Sequence, residues 1–590
     1  MCDSALFVID GGRGLVSHAV PGSLVSLTFD SMNLSHALLV ATLASSLAAC
    51  SKRPEDAPKP KTAATVAGPQ TVVVRADPKD RHDDATEAAH EAAIAWRRGD
   101  VDVAFAEAKA ANKPVFLYWG ASWCPPCNQV KATLFNKREF IERTQFFVPV
   151  YVDGDVPAAQ KIGTRFSVSG YPTMVLFKPD GTEVTRLPGE ADPARYMQML
   201  ALGMSATRPV RETLKSAMAD GKGLTRDDWR MLAWYSWDTD DQQLVATSRV
   251  PAMLKKLAAH CPADYGDVRT RLMLKAAAAA GDMKGQSKVA LGAIEAVLAS
   301  PTSARENFDL LTNAMPELVR AATAPASTGR AKLIVAADHA LARLAADATL
   351  SNTDRLGATI ARVQLASLDG KPATVDNQRN MQAAPVSISD SLNAEVRHEA
   401  ARADRESNDP YERQTVINAA AYLLTSAGLI DESDTLLKAE LSRSHSPYYF
   451  MLDLASNAKK RGDKTGAIEW YAKAYDAAEG PATRLQWGAT YVTALIELSP
   501  GDATRIERAA TKVIGEVEPA PSSFDGRNRK SLSRMATKIA TWNAKGVHAA
   551  EATRIAQQSR ALCERVPADA PERARCGALL KVATTAGKTA

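Results

Sequence analysis

Cys124 and Cys127 are the only two of this chain's seven cysteines (2, 50, 124, 127, 261, 563 and 576) close enough in sequence to share chemistry. Val115 to Trp119 is a continuous apolar and aromatic run, read as a strand buried on both faces. Gln129 to Phe140 has helical spacing, so the pair falls on the first turn of a helix. Free backbone N–H groups and the helix dipole there favour thiolate over thiol. Cys124 is the expected exposed nucleophile. With two residues between them, Cys127 comes within bonding distance and can resolve a mixed disulfide formed at Cys124. Pro125 and Pro126 suit a first turn, where a missing N–H costs little, but they leave fewer donors for the thiolate. No histidine lies between His90 and His260, so activation falls largely to the helix terminus. Two other readings stay open. One is half a zinc site, although a second ligand pair at suitable spacing is missing; the other is a redox-dead domain used only for binding.

The elements that must position this pair follow from periodicity. Residues 85 to 112 read as a helix with Ala88, Ala92, Trp96, Phe105 and Ala108 on its inner face, closed by Lys113-Pro114. Phe146 to Asp153 reads as a second buried strand. Trp123-Cys124-Pro125-Pro126-Cys127 after a buried strand, and Gly170-Tyr171-Pro172-Thr173 before the apolar run Met174 to Phe177, resemble the active site and the cis-proline loop of the thioredoxin superfamily. The turn Pro179-Asp180-Gly181-Thr182, a strand to Leu187, Gly189 and a helix from Pro193 to Leu202 complete the pattern.

This resemblance implies an α/β thioredoxin fold over 86–204, with Cys124 and Cys127 catalytic and Pro172 cis beside the sulfurs. Trp123, Tyr171 and Thr173 would join Pro172 at the substrate rim. Protein thiols and disulfides and an upstream redox donor would be the partners, without cofactor or metal. Lys113 to Leu117 and Thr133 to Phe140 are more similar to the periplasmic electron-delivering members than to cytosolic ones, which favours a reductase. Three departures stand out: Tyr118 where the family has a buried aspartate, Pro149 near its partner lysine, and Asn128 after the second cysteine. They put the family's proton relay in doubt.

From Met32, the expected start, an apolar stretch ends in Leu47-Ala48-Ala49-Cys50, which resembles the bacterial lipoprotein signal. Cys50 would then carry lipid and anchor the chain without a spanning helix. Ser51 rather than aspartate favours the outer membrane, and Pro-, Ala- and Lys-rich residues 51–85 read as a tether. The alternative is a buried apolar helix with a chance cysteine.

Beyond 204 nearly everything reads as amphipathic helix, divided into 205–405 and 406–590. Ala420 to Leu441 and Leu454 to Tyr475 superpose at an offset of 34, matching Gly428 with Gly462 and Leu437 with Tyr471. That is the tetratricopeptide period, so a large all-α, TPR-like region with a protein-binding surface is expected. Cys563 and Cys576 flank a turn and are spaced to close a staple, whereas Cys261 reads as a core residue.

Across 590 residues, 72 basic and 67 acidic side chains leave a net charge of +5, too small to argue for nucleic-acid binding. The resulting expectation is a membrane-tethered periplasmic thiol:disulfide oxidoreductase that reduces protein disulfides, its helical region binding partners. A disulfide oxidase or isomerase, and a non-enzymatic envelope scaffold, are the alternatives.

Overall fold

The computed structural model describes residues 94–579, apart from 99, 157, 169, 188, 190–192, 238, 241–242, 281–287 and 370–387. The expectations for Met32, Cys50, Ser51 and the tether lie outside the described residues.

Helix α1 (Val101–Ala111) starts where the Asp100 carboxylate accepts from the Asp102 N–H, and stops at Asn112, which turns left-handed at φ 49°. The helix expected from residue 85 therefore differs in its described part. Ile94 to Arg98 are not helical, and Arg97 forms a parallel bridge with Val150 at the edge of the sheet. Trp96 still points inward from this segment, against Phe116, Tyr118, Phe135 and Tyr151.

Strand β1 (Val115–Gly120) is buried along its whole length, as the unbroken apolar run requires. It pairs in parallel with β2 (Val148–Asp153) and antiparallel with β3 (Thr173–Phe177), which pairs with β4 (Glu183–Leu187). The sheet order is β2-β1-β3-β4. Between β1 and β2 the expected single helix breaks into α2 (Pro125–Val130), a π-helical turn over Lys131–Phe135, and α3 (Arg138–Arg143). Helix α4 (Ala159–Arg165) links β2 to β3, and α5 (Pro193–Ser205) follows β4. Gly203 lets α5 approach closely, since a Cβ there would stand 2.8 Å from Leu176 Cδ2.

Arg186 of β4 is fully buried. Its guanidinium donates to the carbonyls of Phe166, Ser167 and Thr239 and pairs with Glu183 at 2.9 Å, tying the sheet to the first stretch of the helical region. From Val210 onward the described chain is helical apart from its turns and one isolated bridge, Val168 to Asp240. Helices Pro410–Ser426 and Ile430–Glu440 form one hairpin, and Pro447–Lys460 and Lys464–Ala477 form the next. Gly428 and Gly462, matched at the 34-residue offset, both turn left-handed, at φ 82° and 78°. Leu437 and Tyr471, matched likewise, are both buried.

Cys563 and Cys576 are joined as a disulfide with a Cα–Cα distance of 5.6 Å, across the turn between helices Ala549–Arg565 and Pro571–Leu579. Cys261 is a buried free thiol whose pKa burial pushes up to about 11. The described residues form one compact unit. One hydrophobic core runs unbroken from Ile94 through the sheet to Leu272, and resumes from Tyr448 to Cys576. No helix among the described residues is long and apolar enough to cross a membrane.

Candidate functional site

Strand β1 ends at Gly120, and the chain turns through Ala121 and Ser122 into Trp123 and Cys124. Cys124 is the N-cap of α2, extended at φ −78°, ψ 113°, and its sulfur accepts from the Cys127 N–H at 3.3 Å. This is the helix-terminus placement that favours negative charge on sulfur. The two cysteines are paired as a disulfide with a Cα–Cα distance of 5.2 Å. Both prolines occupy the first turn.

The loop before β3 completes the arrangement. The Tyr171–Pro172 peptide is cis, and the Thr173 hydroxyl donates to the Gly170 carbonyl at 2.8 Å. Tyr171 packs edge-on against Trp123, with centroids 5.5 Å apart, and stacks on Trp119. Burial pushes the Tyr171 phenol up to about 12, with Arg527 pulling the other way. The structure thus brings Trp123, Cys124, Cys127, Tyr171, Pro172 and Thr173 into one site. Cys563 and Cys576 lie outside this site, on the last two described helices. Among the described residues no group of three or more His, Cys, Asp or Glu side chains is placed to hold a metal.

One expectation fails. Cys124 was to be the exposed nucleophile, but both Cys124 and Cys127 have no solvent exposure, and Trp123 has 1%. The cause is distant in sequence: the C-terminal helices lie across this face. Thr415 donates to the Pro125 carbonyl at 2.6 Å, and the His445 ring reaches the Ser122 carbonyl at 3.4 Å. Tyr449 stacks on Trp123, and Trp487 meets it edge-on. The Arg527 guanidinium lies 4.8 Å from the Trp123 ring centroid and 4.9 Å from that of Tyr171. Gln129 donates to Asp354 at 3.0 Å.

Asp155, which sequence reasoning did not single out, sits at the centre of this junction. Its carboxylate accepts from the Trp123 indole at 2.6 Å, and from the Thr483 backbone N–H at 2.9 Å and hydroxyl at 2.7 Å. Burial raises its pKa, and the hydrogen bonds from Thr483 and Trp123 oppose that rise. Asp153, on β2, is likewise raised by burial. The run Asp153-Gly154-Asp155 at a strand end was the available signal.

Comparison with known proteins places this geometry. Residues 101–203 match the thioredoxin-like domain family. The chain is 31% identical over 108 residues to thiol:disulfide interchange protein DsbD 1 of Pseudomonas aeruginosa, covering 17% of this chain and 18% of that protein. It is 33% identical over 91 residues to a thioredoxin of Mycolicibacterium smegmatis, covering 15% of this chain and 79% of that one. Thioredoxin H4 of Arabidopsis thaliana shares 35% over 85 residues, 14% of this chain and 66% of that one. The chain thus spans under a fifth of the length of the interchange protein and most of the length of the Mycolicibacterium thioredoxin.

Proposed function

This chain belongs to the thioredoxin superfamily through residues 101–203, and on that footing we propose that it is a thiol:disulfide oxidoreductase that reduces protein disulfides. The observation that carries the reading is Cys124 at the helix N-cap, its sulfur accepting from the Cys127 N–H. In the reduced form the Cys124 thiolate attacks one sulfur of a partner disulfide. That bond breaks, a Cys124–partner disulfide forms, and the other partner sulfur leaves as a thiolate and takes up a proton. Cys127 gives up its proton and attacks the Cys124 sulfur. The partner's second thiol is released, and the Cys124–Cys127 disulfide retains the two oxidising equivalents until a donor dithiol reduces it.

Trp123, Tyr171, Pro172 and Thr173 form the platform for the partner segment. We place the chain at the periplasmic side of the envelope, lipid-anchored at Cys50 and directed to the outer membrane by Ser51, with its TPR-like helices engaging protein partners. The similarity to an interchange protein over residues of this domain supports the setting, and metabolic lipid labelling that survives Cys50→Ala would remove the anchor from the reading. Cys127→Ala should trap partners on Cys124 as mixed disulfides, visible on diagonal gels; an empty gel rejects the activity. The reduction potential of the pair decides between reductase and oxidase or isomerase, with about 30 mV per factor of ten.

A second reading is favoured by the burial of Cys124: a scaffold in which the thioredoxin fold only docks. It requires Cys124→Ala with Cys127→Ala to leave the cellular phenotype intact.

A further inference from the structure

The residues a partner would touch are covered by the chain itself, and the cover is fastened in a particular way. Helix Pro481–Leu498 has no cap from its own N-cap residue, Gly480. Its N–H at Thr483 is satisfied by Asp155, from the thioredoxin domain. Helix Gly526–Trp542 likewise receives no side-chain cap from Asp525. Gln160 of α4 supplies it: its Oε1 accepts from the Arg527 N–H at 2.7 Å and the Asn528 N–H at 3.4 Å, while its Nε2 donates to the Gly154 carbonyl at 2.8 Å. Thr164, one turn on, accepts from the Gly526 N–H at 3.1 Å. Gln160 is itself buried, at 2% exposure. The first turn of a helix carries N–H groups that need acceptors, and here two helices take theirs from another domain.

These same two helices carry Trp487 and Arg527 onto Trp123 and Tyr171. Capping and covering are therefore one arrangement at Trp123 and Tyr171, because separating these helices from Asp155 and Gln160 also uncovers those rings, while helix Pro410–Ser426 closes the adjoining Cys124–Cys127 turn through Thr415 on the Pro125 carbonyl. Cys124, Cys127, Tyr171, Pro172 and Thr173 are all buried.

We propose that the C-terminal helices form a cover closed over the Cys124–Cys127 pair by helix caps that the thioredoxin domain supplies, and that exchange with a protein requires this cover to lift. The proposal rests on the oxidoreductase reading. The displacing partner is an extended polypeptide bearing a disulfide or a donor dithiol, which takes the place of Trp487 and Arg527 on the Trp123–Tyr171 face. No cysteine of the cover takes part in the chemistry.

The test uses the full chain, reduced, with N-ethylmaleimide as the probe and modification at Cys124 followed by peptide mass spectrometry. The folded protein should react at least about a hundredfold more slowly than the same chain in denaturant. Gln160→Ala removes one helix cap and should speed the reaction about fivefold. A folded-state rate equal to the denatured rate overturns the proposal, as does a Gln160→Ala protein, folded by circular dichroism, that reacts no faster than the parent. If Gln160→Ala does not fold, the unsubstituted chain decides. Its modification rate should climb with urea well before circular dichroism changes, and a rate that stays flat until global unfolding overturns the lifting step. Failure of the redox reading looks different: Gln160→Ala would be modified faster, yet a Cys127→Ala trap in that background would capture nothing.

Discussion

Replacing Thr483 by Val is the sharpest perturbation of the junction, because it deletes one hydroxyl and keeps the side-chain volume. Thr483 is 1% exposed, and its Oγ1 stands 2.7 and 2.6 Å from the two oxygens of Asp155. A hydroxyl has one proton, so these two distances represent one charge-assisted hydrogen bond, on the order of 1.5–3 kcal/mol. The backbone N–H of Thr483 and the indole of Trp123 remain as donors to the same carboxylate. A loss of about 2 kcal/mol corresponds to roughly 30-fold in the equilibrium between closed and open junction. The reporter is the Trp123 indole N–H, buried and bonded to Asp155, in protein labelled with ¹⁵N at its nine tryptophans. Its hydrogen-exchange protection should fall by about that factor, while a tryptophan outside the cover, such as Trp237, whose indole donates to the Leu232 carbonyl, is unaffected. In an Asp155→Asn background the acceptor is neutral, so the same substitution should cost only about 0.5–1.5 kcal/mol. Unchanged Trp123 protection in Thr483→Val would refute the reasoning that this hydrogen bond holds the junction shut.

Three further outcomes are expected. Burial pushes the Asp453 carboxyl up to about 7, although Asn418 donates to it at 2.6 Å. A carboxyl whose folded pKa lies above its unfolded value stabilises the fold most below about pH 4 and loses that contribution as pH rises to about 7. Asp453→Asn should therefore be more stable than the parent by about 1–3 kcal/mol at pH 8 and nearly equal at pH 4, measured by urea unfolding; an equal difference at both pH values contradicts it. Arg186→Met strands the partly buried Glu183 and several carbonyls and should cost about 3–5 kcal/mol. Arg186→Lys should recover little, because a single ammonium cannot span the same acceptors; near-complete recovery would show that charge alone matters. Removing the C-terminal staple with Cys563→Ser and Cys576→Ser should cost up to about 3 kcal/mol for a loop of this size, with helix Pro571–Leu579 losing protection first. Equal thermal stability of this variant and its parent under oxidising conditions would show that the staple contributes nothing.

The α/β part was readable because its signals are local. An unbroken apolar run makes β1, and a Cys-Pro-Pro-Cys sequence after it places the sulfurs at a helix start. The helix expected across Trp96 was misplaced because Asp100 caps at Val101 and the residues ahead of it bridge to β2. Glycine at 428 and again at 462 marked a repeated turn that the backbone bears out. What sequence could not reveal was the burial of Cys124. The pairs that fasten the cover, Asp155 with Thr483, Gln160 with Arg527 and Pro125 with Thr415, are 328, 367 and 290 residues apart. Neither partner has a local pattern that announces the other, since an aspartate after a strand and a threonine near a helix start are ordinary residues at ordinary places.

That separation also has a meaning in time. During synthesis the thioredoxin domain emerges first, and Thr483 follows Asp155 by 328 residues. At about 5–20 residues per second this interval is on the order of half a minute. For that period the Cys124–Cys127 pair has no roof, and its first encounters with oxidants, reductants and chaperones take place in the open. The redox state in which the cover first closes is therefore set on the uncovered domain, and any later change has to wait for the cover to lift.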